Sequence, residues 1–205
     1  MIISIHIPKT GGSSFGEILK SVYGENLWIN YGQQWNAMTS KKNLISSNIE
    51  CLHGHFEFNA FDEEFPESQK ITWLRDPVER TISLYNHIMN RPDQGNEIIM
   101  DIYQNKPSLN EFSGIPWIRN QGLNYLVDST PSDFKFIGFL ENFTASLQQC
   151  AKILGWHRIP ESRWINRGNK TEVSNIPQET IQTVKKNNKE EYEWREEAKR
   201  IFNTK

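Results

Sequence analysis

A chain of 205 residues, 37% hydrophobic and 23% charged, is long enough for one domain (1–205) with a substantial core, and it contains no low-complexity tract or repeat. A formal net charge of −2 excludes a general nucleic-acid or polyanion binder while leaving room for a local basic site. The apolar start, Met1 to Ile7, is too short for a signal peptide or a membrane span, so the expectation is a soluble, cytoplasmic protein with no membrane and no nucleic-acid partner. Met1 to His6 reads as the first strand. A turn, Lys9-Thr10-Gly11-Gly12-Ser13-Ser14, leads into a helix from about Ser13 to Tyr23, with Phe15, Ile18, Leu19 and Val22 on its apolar face and Gly24 as its stop. This is the opening half of a βαβ unit. Leu27 to Tyr31 reads as a short strand, residues 32 to 48 as polar loop with some helix, and Ile49 to His53 and Lys70 to Leu74 as further strands. Val78, Ile82, Tyr85 and Met89 lie at helical spacing on a helix that runs to about Asn90.

Residues 91 to 133 hold Pro, Gly and Asn breaks around short helical stretches, of which Trp117 to Val127 is the clearest. Phe134 to Leu140 reads as a strand and Thr144 to Leu154 as a helix behind it. Arg158 to Glu172 is polar and irregular, and Pro177 to Asn187 and Lys189 to Phe202 read as two closing helices. Strands alternating with helices predict an α/β fold with a parallel sheet and ligands bound beyond the carboxyl ends of its strands. The seven Trp and eleven Phe read mostly as core, with some free to form a platform for a sugar ring or an aromatic acceptor. Cys51 and Cys150 match no metal-ligand spacing and read as buried free thiols.

Two segments carry the chemistry. Gly11 and Gly12 let the backbone turn sharply, so that their N–H groups, the positive end of the next helix, the hydroxyls of Thr10, Ser13 and Ser14 and the Lys9 ammonium converge on one phosphate-sized anion. Because Lys9 precedes the glycines, the turn lacks the G-x-x-x-x-G-K-[ST] spacing of nucleoside triphosphatases, and some other nucleotide is implied. In the second segment, Leu74-Arg75-Asp76-Pro77-Val78-Glu79-Arg80, Asp76 suits a helix N-cap, Pro77 the first helical position, and Glu79 the position from which a carboxylate reaches back to the cap N–H. Arg75, at the carboxyl end of its strand, and Ser83, two turns into the helix, can face the same ligand.

Pro8-Lys9-Thr10-Gly11-Gly12-Ser13-Ser14-Phe15, and Leu74 to Arg80 with Ser83 eight residues after Arg75, resemble the 5′-phosphosulfate and 3′-phosphate loops of sulfotransferases that use 3′-phosphoadenosine 5′-phosphosulfate (PAPS). The branch they resemble most includes heparan sulfate 2-O-sulfotransferase and its bacterial relatives. The resemblance implies a P-loop-like parallel β-sheet flanked by helices, PAPS as co-substrate, no metal, and transfer of a sulfuryl group to a hydroxyl of a saccharide or small-molecule acceptor. It places Lys9 at the leaving oxygen, and Arg75 and Ser83 at the 3′-phosphate. In His53-Gly54-His55 it makes His55 the base and His53 its helper, although in an extended strand either ring can point at the acceptor. Alternatives stand beside these roles: a structural histidine pair, a salt bridge of Arg75 with Asp76 or Glu79, and Arg80 paired with an acid on its own helix face. Asn120 and Gln121 are placed near nucleotide or acceptor, or else on a polar helix surface. Arg167 and Lys170 lie in a late loop that either contacts the nucleotide or is merely solvated. An ATP-dependent phosphotransferase and a non-catalytic nucleotide-binding module are the rival readings, and nothing in the sequence fixes the oligomeric state.

Overall fold

The computed structural model describes residues 1–31, 48–90, 97–159 and 173–202. Five strands, β1 (Ile2–Ile5), β2 (Leu27–Asn30), β3 (Cys51–Gly54), β4 (Gln69–Leu74) and β5 (Phe136–Phe139), form one sheet in the order β2-β3-β1-β4-β5. Every pairing is parallel. Strands covered on both faces bury nearly every residue, and β3 and β5 are buried throughout.

Alternation along the strands sorts the core into two layers. Ile3, Ile5, Leu52 and Ile137 face one side, where Leu126, Phe134 and Ala198 pack on them. Cys51, Ile71, Trp73 and Phe136 face the other, against Phe15 and Leu19 of α1 (Gly12–Tyr23) and Leu147 and Cys150 of α5 (Phe143–Ile153). Both cysteines are buried free thiols. The remaining helices are α2 (Pro77–Asn90), α3 (Glu97–Asn105), α4 (Leu109–Gly114), α6 (Gln178–Asn187) and α7 (Lys189–Phe202). Among the described residues no helix is long and apolar enough to cross a membrane.

The strands and the long helices lie within two residues of the sequence expectation. Residues 97–133 follow it only in part. Trp117 to Val127 forms turns and a 3₁₀ helix at Gln121–Tyr125 in place of an α-helix, because Asn120 sits in the left-handed region (φ 48°) and its side chain is claimed by the closing helices. Instead, α3 and α4 supply the helical structure. A capping box starts α4, with Glu111 N–H donating to Ser108 Oγ at 3.4 Å and Ser108 N–H donating to the Glu111 carboxylate at 2.8 Å. The segments 32–47 and 160–172, including Arg167 and Lys170, lie outside the described residues.

Candidate active site

The first loop leaves the central strand β1 and enters α1. Thr10 is buried, and its hydroxyl donates to Ile7 C=O at 2.8 Å, so Thr10 shapes the turn instead of aiming its hydroxyl out of it. Lys9 and Gly11 both adopt positive φ, 70° and 87°. For Lys9 this is a strained geometry of the kind that collects at functional sites. Gly11 is the N-cap of α1, with no side chain bonding to the first turn, so the leading amides of α1 and its positive end face the loop together. Ser13 is exposed at this end and Ser14 is buried.

The second loop leaves β4, the neighbour of β1. Asp76 caps α2 as expected, accepting from the N–H groups of Val78 (3.0 Å) and Glu79 (3.2 Å). Glu79 does not return to the cap. The Asp76 N–H donates to Glu141, and Glu79 Oε2 accepts from Arg75 Nε and Nη2 at 3.2 Å each. The same guanidinium directs Nη1 at Lys9 C=O, 3.5 Å away, so the two loops share one wall. Ser83 lies one turn beyond Glu79 on the same stripe of α2. From below, α7 braces the cap: Tyr192 OH lies 2.9 and 2.8 Å from the two Asp76 carboxylate oxygens, and Arg195 pairs with Glu141 at 2.9 Å. Burial, and next the Asp76 charge, push the Tyr192 phenol well above its ordinary pKa, so it stays a donor.

Hydrogen-bond partners fix the protons on two histidines of the third element. His53 Nε2 lies 3.1 Å from Gly12 C=O, which only accepts, so that nitrogen carries the hydrogen. Nδ1 then accepts from Ser4 Oγ at 2.9 Å, Ser4 and His53 being register partners on β1 and β3. Burial brings the His53 pKa down to about 4, so the ring is neutral with both nitrogens engaged. His55 Nδ1 lies 2.7 Å from His6 C=O and must donate to it, which leaves the lone pair on Nε2. Burial lowers the His55 pKa as well, against the opposing effect of that bond.

Sequence reasoning missed His6. Its ring stacks between those of His53 and His55, at centroid distances of 5.3 and 4.5 Å. A side chain on Gly12 would overlap it, since a Cβ there would stand 2.0 Å from His6 Nε2, so glycine is required where loop meets helix. Tyr31 and Tyr125 flank the cluster, the first edge-on to His6 at 5.4 Å and the second 5.9 Å from His55. The only signal was the alternation Ser4-Ile5-His6, two polar side chains in an apolar strand.

Arg80 corrects another expectation. It is 1% exposed and pairs across 111 residues with Glu191 of α7, through Nε to Oε1 at 2.7 Å and Nη2 to Oε2 at 2.8 Å, not with an acid on its own helix. Gln121 Oε1 accepts from Arg80 Nη1 at 3.2 Å, and the Gly122 N–H donates to Glu191 at 3.0 Å. Asn120 bonds to Asn188 and to the Glu191 N–H. Asn120 and Gln121 therefore dock the closing helices; neither is a free polar helix surface. Among the described residues no group of three or more His, Cys, Asp and Glu is arranged to hold a metal ion.

A parallel sheet in which two adjacent strands each lead through a cation-bearing loop into a helix N-terminus is an α/β arrangement that can hold an anionic ligand at the strands' carboxyl ends. The chain belongs to the sulfotransferase family, which matches residues 1–194. Solved structures agree with the fold. A sulfotransferase from Alicyclobacillus acidocaldarius superposes with a TM-score of 0.56 at 11% identity, covering 100% of this chain and 96% of that one. Mouse sulfotransferase SULT7A1, complexed with PAP, gives a TM-score of 0.51 at 10% identity over 90% of this chain, which spans 62% of the mouse chain. No curated protein matches the sequence.

Proposed function

We propose that the protein transfers the sulfuryl group of PAPS to a hydroxyl of a saccharide or small-molecule acceptor and releases adenosine 3′,5′-bisphosphate. What supports this reading is the Arg75 guanidinium, 3.5 Å from the Lys9 carbonyl, which sets the two loops side by side so that one cleft can serve both anions. In that cleft the α1 amides and Lys9 hold the 5′-phosphosulfate, and Arg75 with Ser83 holds the 3′-phosphate. Glu79 is half exposed, so its pair with Arg75 is weak enough for a phosphate dianion to replace it. The PAP held by the mouse enzyme of the same fold supports the choice of nucleotide.

In the reaction the acceptor oxygen attacks sulfur in line and its proton passes to His55 Nε2. The S–O bond to the phosphate breaks, and its electron pair stays on the phosphate oxygen beside the Lys9 ammonium. His53 holds the Gly12 carbonyl and so the start of α1. The His-Gly-His triplet supports an acceptor of the heparan sulfate 2-O-sulfotransferase type, a sugar hydroxyl.

Calorimetric titration tests the nucleotide. Adenosine 3′,5′-bisphosphate is expected to bind ten- to a hundredfold more tightly than AMP, since a charge-assisted hydrogen bond contributes about 1.5 to 3 kcal/mol. Arg75→Ala should erase the difference, and equal affinity of the wild type for the two nucleotides would sink the assignment.

A pH series tests the base. His55 must be neutral to accept a proton, so activity falls as pH drops through its pKa. Burial lowers that pKa in the protein alone, placing the acid limb of kcat/KM for PAPS below the ordinary imidazole value of about 6.5. Bound phosphates and sulfonate favour imidazolium, so the limb of kcat should lie at higher pH than that of kcat/KM. A pH-independent rate between pH 5 and 8 with a verified acceptor would rule His55 out as the base.

A further inference from the structure

We propose that His6 is a second catalytic histidine beside His55, an uncharged donor whose Nε2–H bonds to an oxygen of the sulfuryl group and orients it between the α1 N-terminus and His55. This rests on the PAPS reading above and adds a residue to it. The side chain leaves the carboxyl end of the central strand, where His6 N–H is itself fixed to Gly54 C=O at 2.7 Å. The Nε2 side of its ring, from Cδ2 through Nε2 to Cε1, fills the space that a side chain on Gly12 would need, directly at the start of α1. The His55 ring stacks on it, 4.5 Å away and nearly parallel. His6 thus adjoins both the start of α1 and the base.

The location of its proton follows from its buried nitrogen. Nδ1 is shielded from solvent and has no hydrogen-bond partner. Leaving a lone pair unmatched is tolerated better than leaving an N–H unmatched, so Nδ1 carries the lone pair and Nε2 the hydrogen. The ring is neutral, because burial, with His53, His55 and Lys9 beside it, holds its pKa well below the ordinary value. A neutral N–H can bond to a sulfonate oxygen without drawing a proton from the acceptor or competing with His55 as base.

The test uses the whole chain with ¹⁵N-labelled histidine, with signals assigned through a His6→Phe variant. Long-range ¹H–¹⁵N correlation should show His6 protonated at Nε2, and PAPS should move that proton downfield more than adenosine 3′,5′-bisphosphate, which lacks the sulfuryl group. His6→Phe, which keeps a flat ring in the stack, should lose ten- to a hundredfold in PAPS affinity while its bisphosphate affinity stays within about twofold. His6→Gln, which restores an N–H near the Nε2 position, should recover part of that loss. A proton on Nδ1, or equal losses for both nucleotides, would reduce His6 to support of the loop and overturn the proposal. If the wild type binds neither nucleotide, the donor reading itself fails and the role of His6 falls with it; tight bisphosphate binding with an indifferent His6 condemns this proposal alone.

Discussion

Arg80→Ala is expected to lower the unfolding free energy by about 3 to 5 kcal/mol, because it strands the Glu191 carboxylate in a buried site without its partner. Arg80 is among the largest fully buried side chains, and its three donors meet Glu191 twice and Gln121 once. In a chain of this length the loss corresponds to a fall in melting temperature of roughly 6 to 20 °C. Changing both partners separates stranded charge from lost packing. Arg80→Met with Glu191→Leu should recover much of the stability, since an apolar pair of similar volume removes the burial cost of both charges. The Gly122 N–H would still lose its acceptor, so recovery stays incomplete. A single variant that melts within 2 °C of the wild type would show that the pair contributes nothing.

Lys9→Gly is expected to cost about a hundred- to a thousandfold in kcat at saturating PAPS, with an acceptor found by screening hydroxyl compounds against labelled donor. Glycine is the informative replacement. Lys9 holds φ at 70°, which glycine adopts freely, so the variant removes the ammonium and relieves backbone strain at once. Stability should hold or rise while turnover collapses. An alanine there would mix lost charge with retained strain. Wild-type kcat in Lys9→Gly would place the leaving-group role elsewhere.

What could be read in advance was what is local in the chain. Asp76-Pro77 announces a helix start within two residues, and Asp76 caps α2 as read. The glycine turn and the strand-helix alternation gave the parallel sheet for the same reason. One omission and one error had legible causes. The Ser108 to Glu111 capping box stood in plain view, and the periodic apolar run from Trp117 to Val127 concealed a left-handed asparagine bonded to residues 188 and 191. The rest was out of reach of any local pattern. His6 and Ser4 acquire meaning only when register sets β1 beside β3, and the partner of Arg80 lies 111 residues away.

The Tyr192 and Arg195 contacts beneath the Asp76 cap bear on the order in which the protein is made. A ribosome that has finished residue 188 has produced all five strands and both loops, but not the helix that props the second loop from behind. Both loops are therefore translated before the helix that braces one of them. Between those moments Asp76 must cap α2 without its phenol, and Glu141 stands without its guanidinium. Until α7 docks, the second loop lacks the phenol and the guanidinium that brace it from behind.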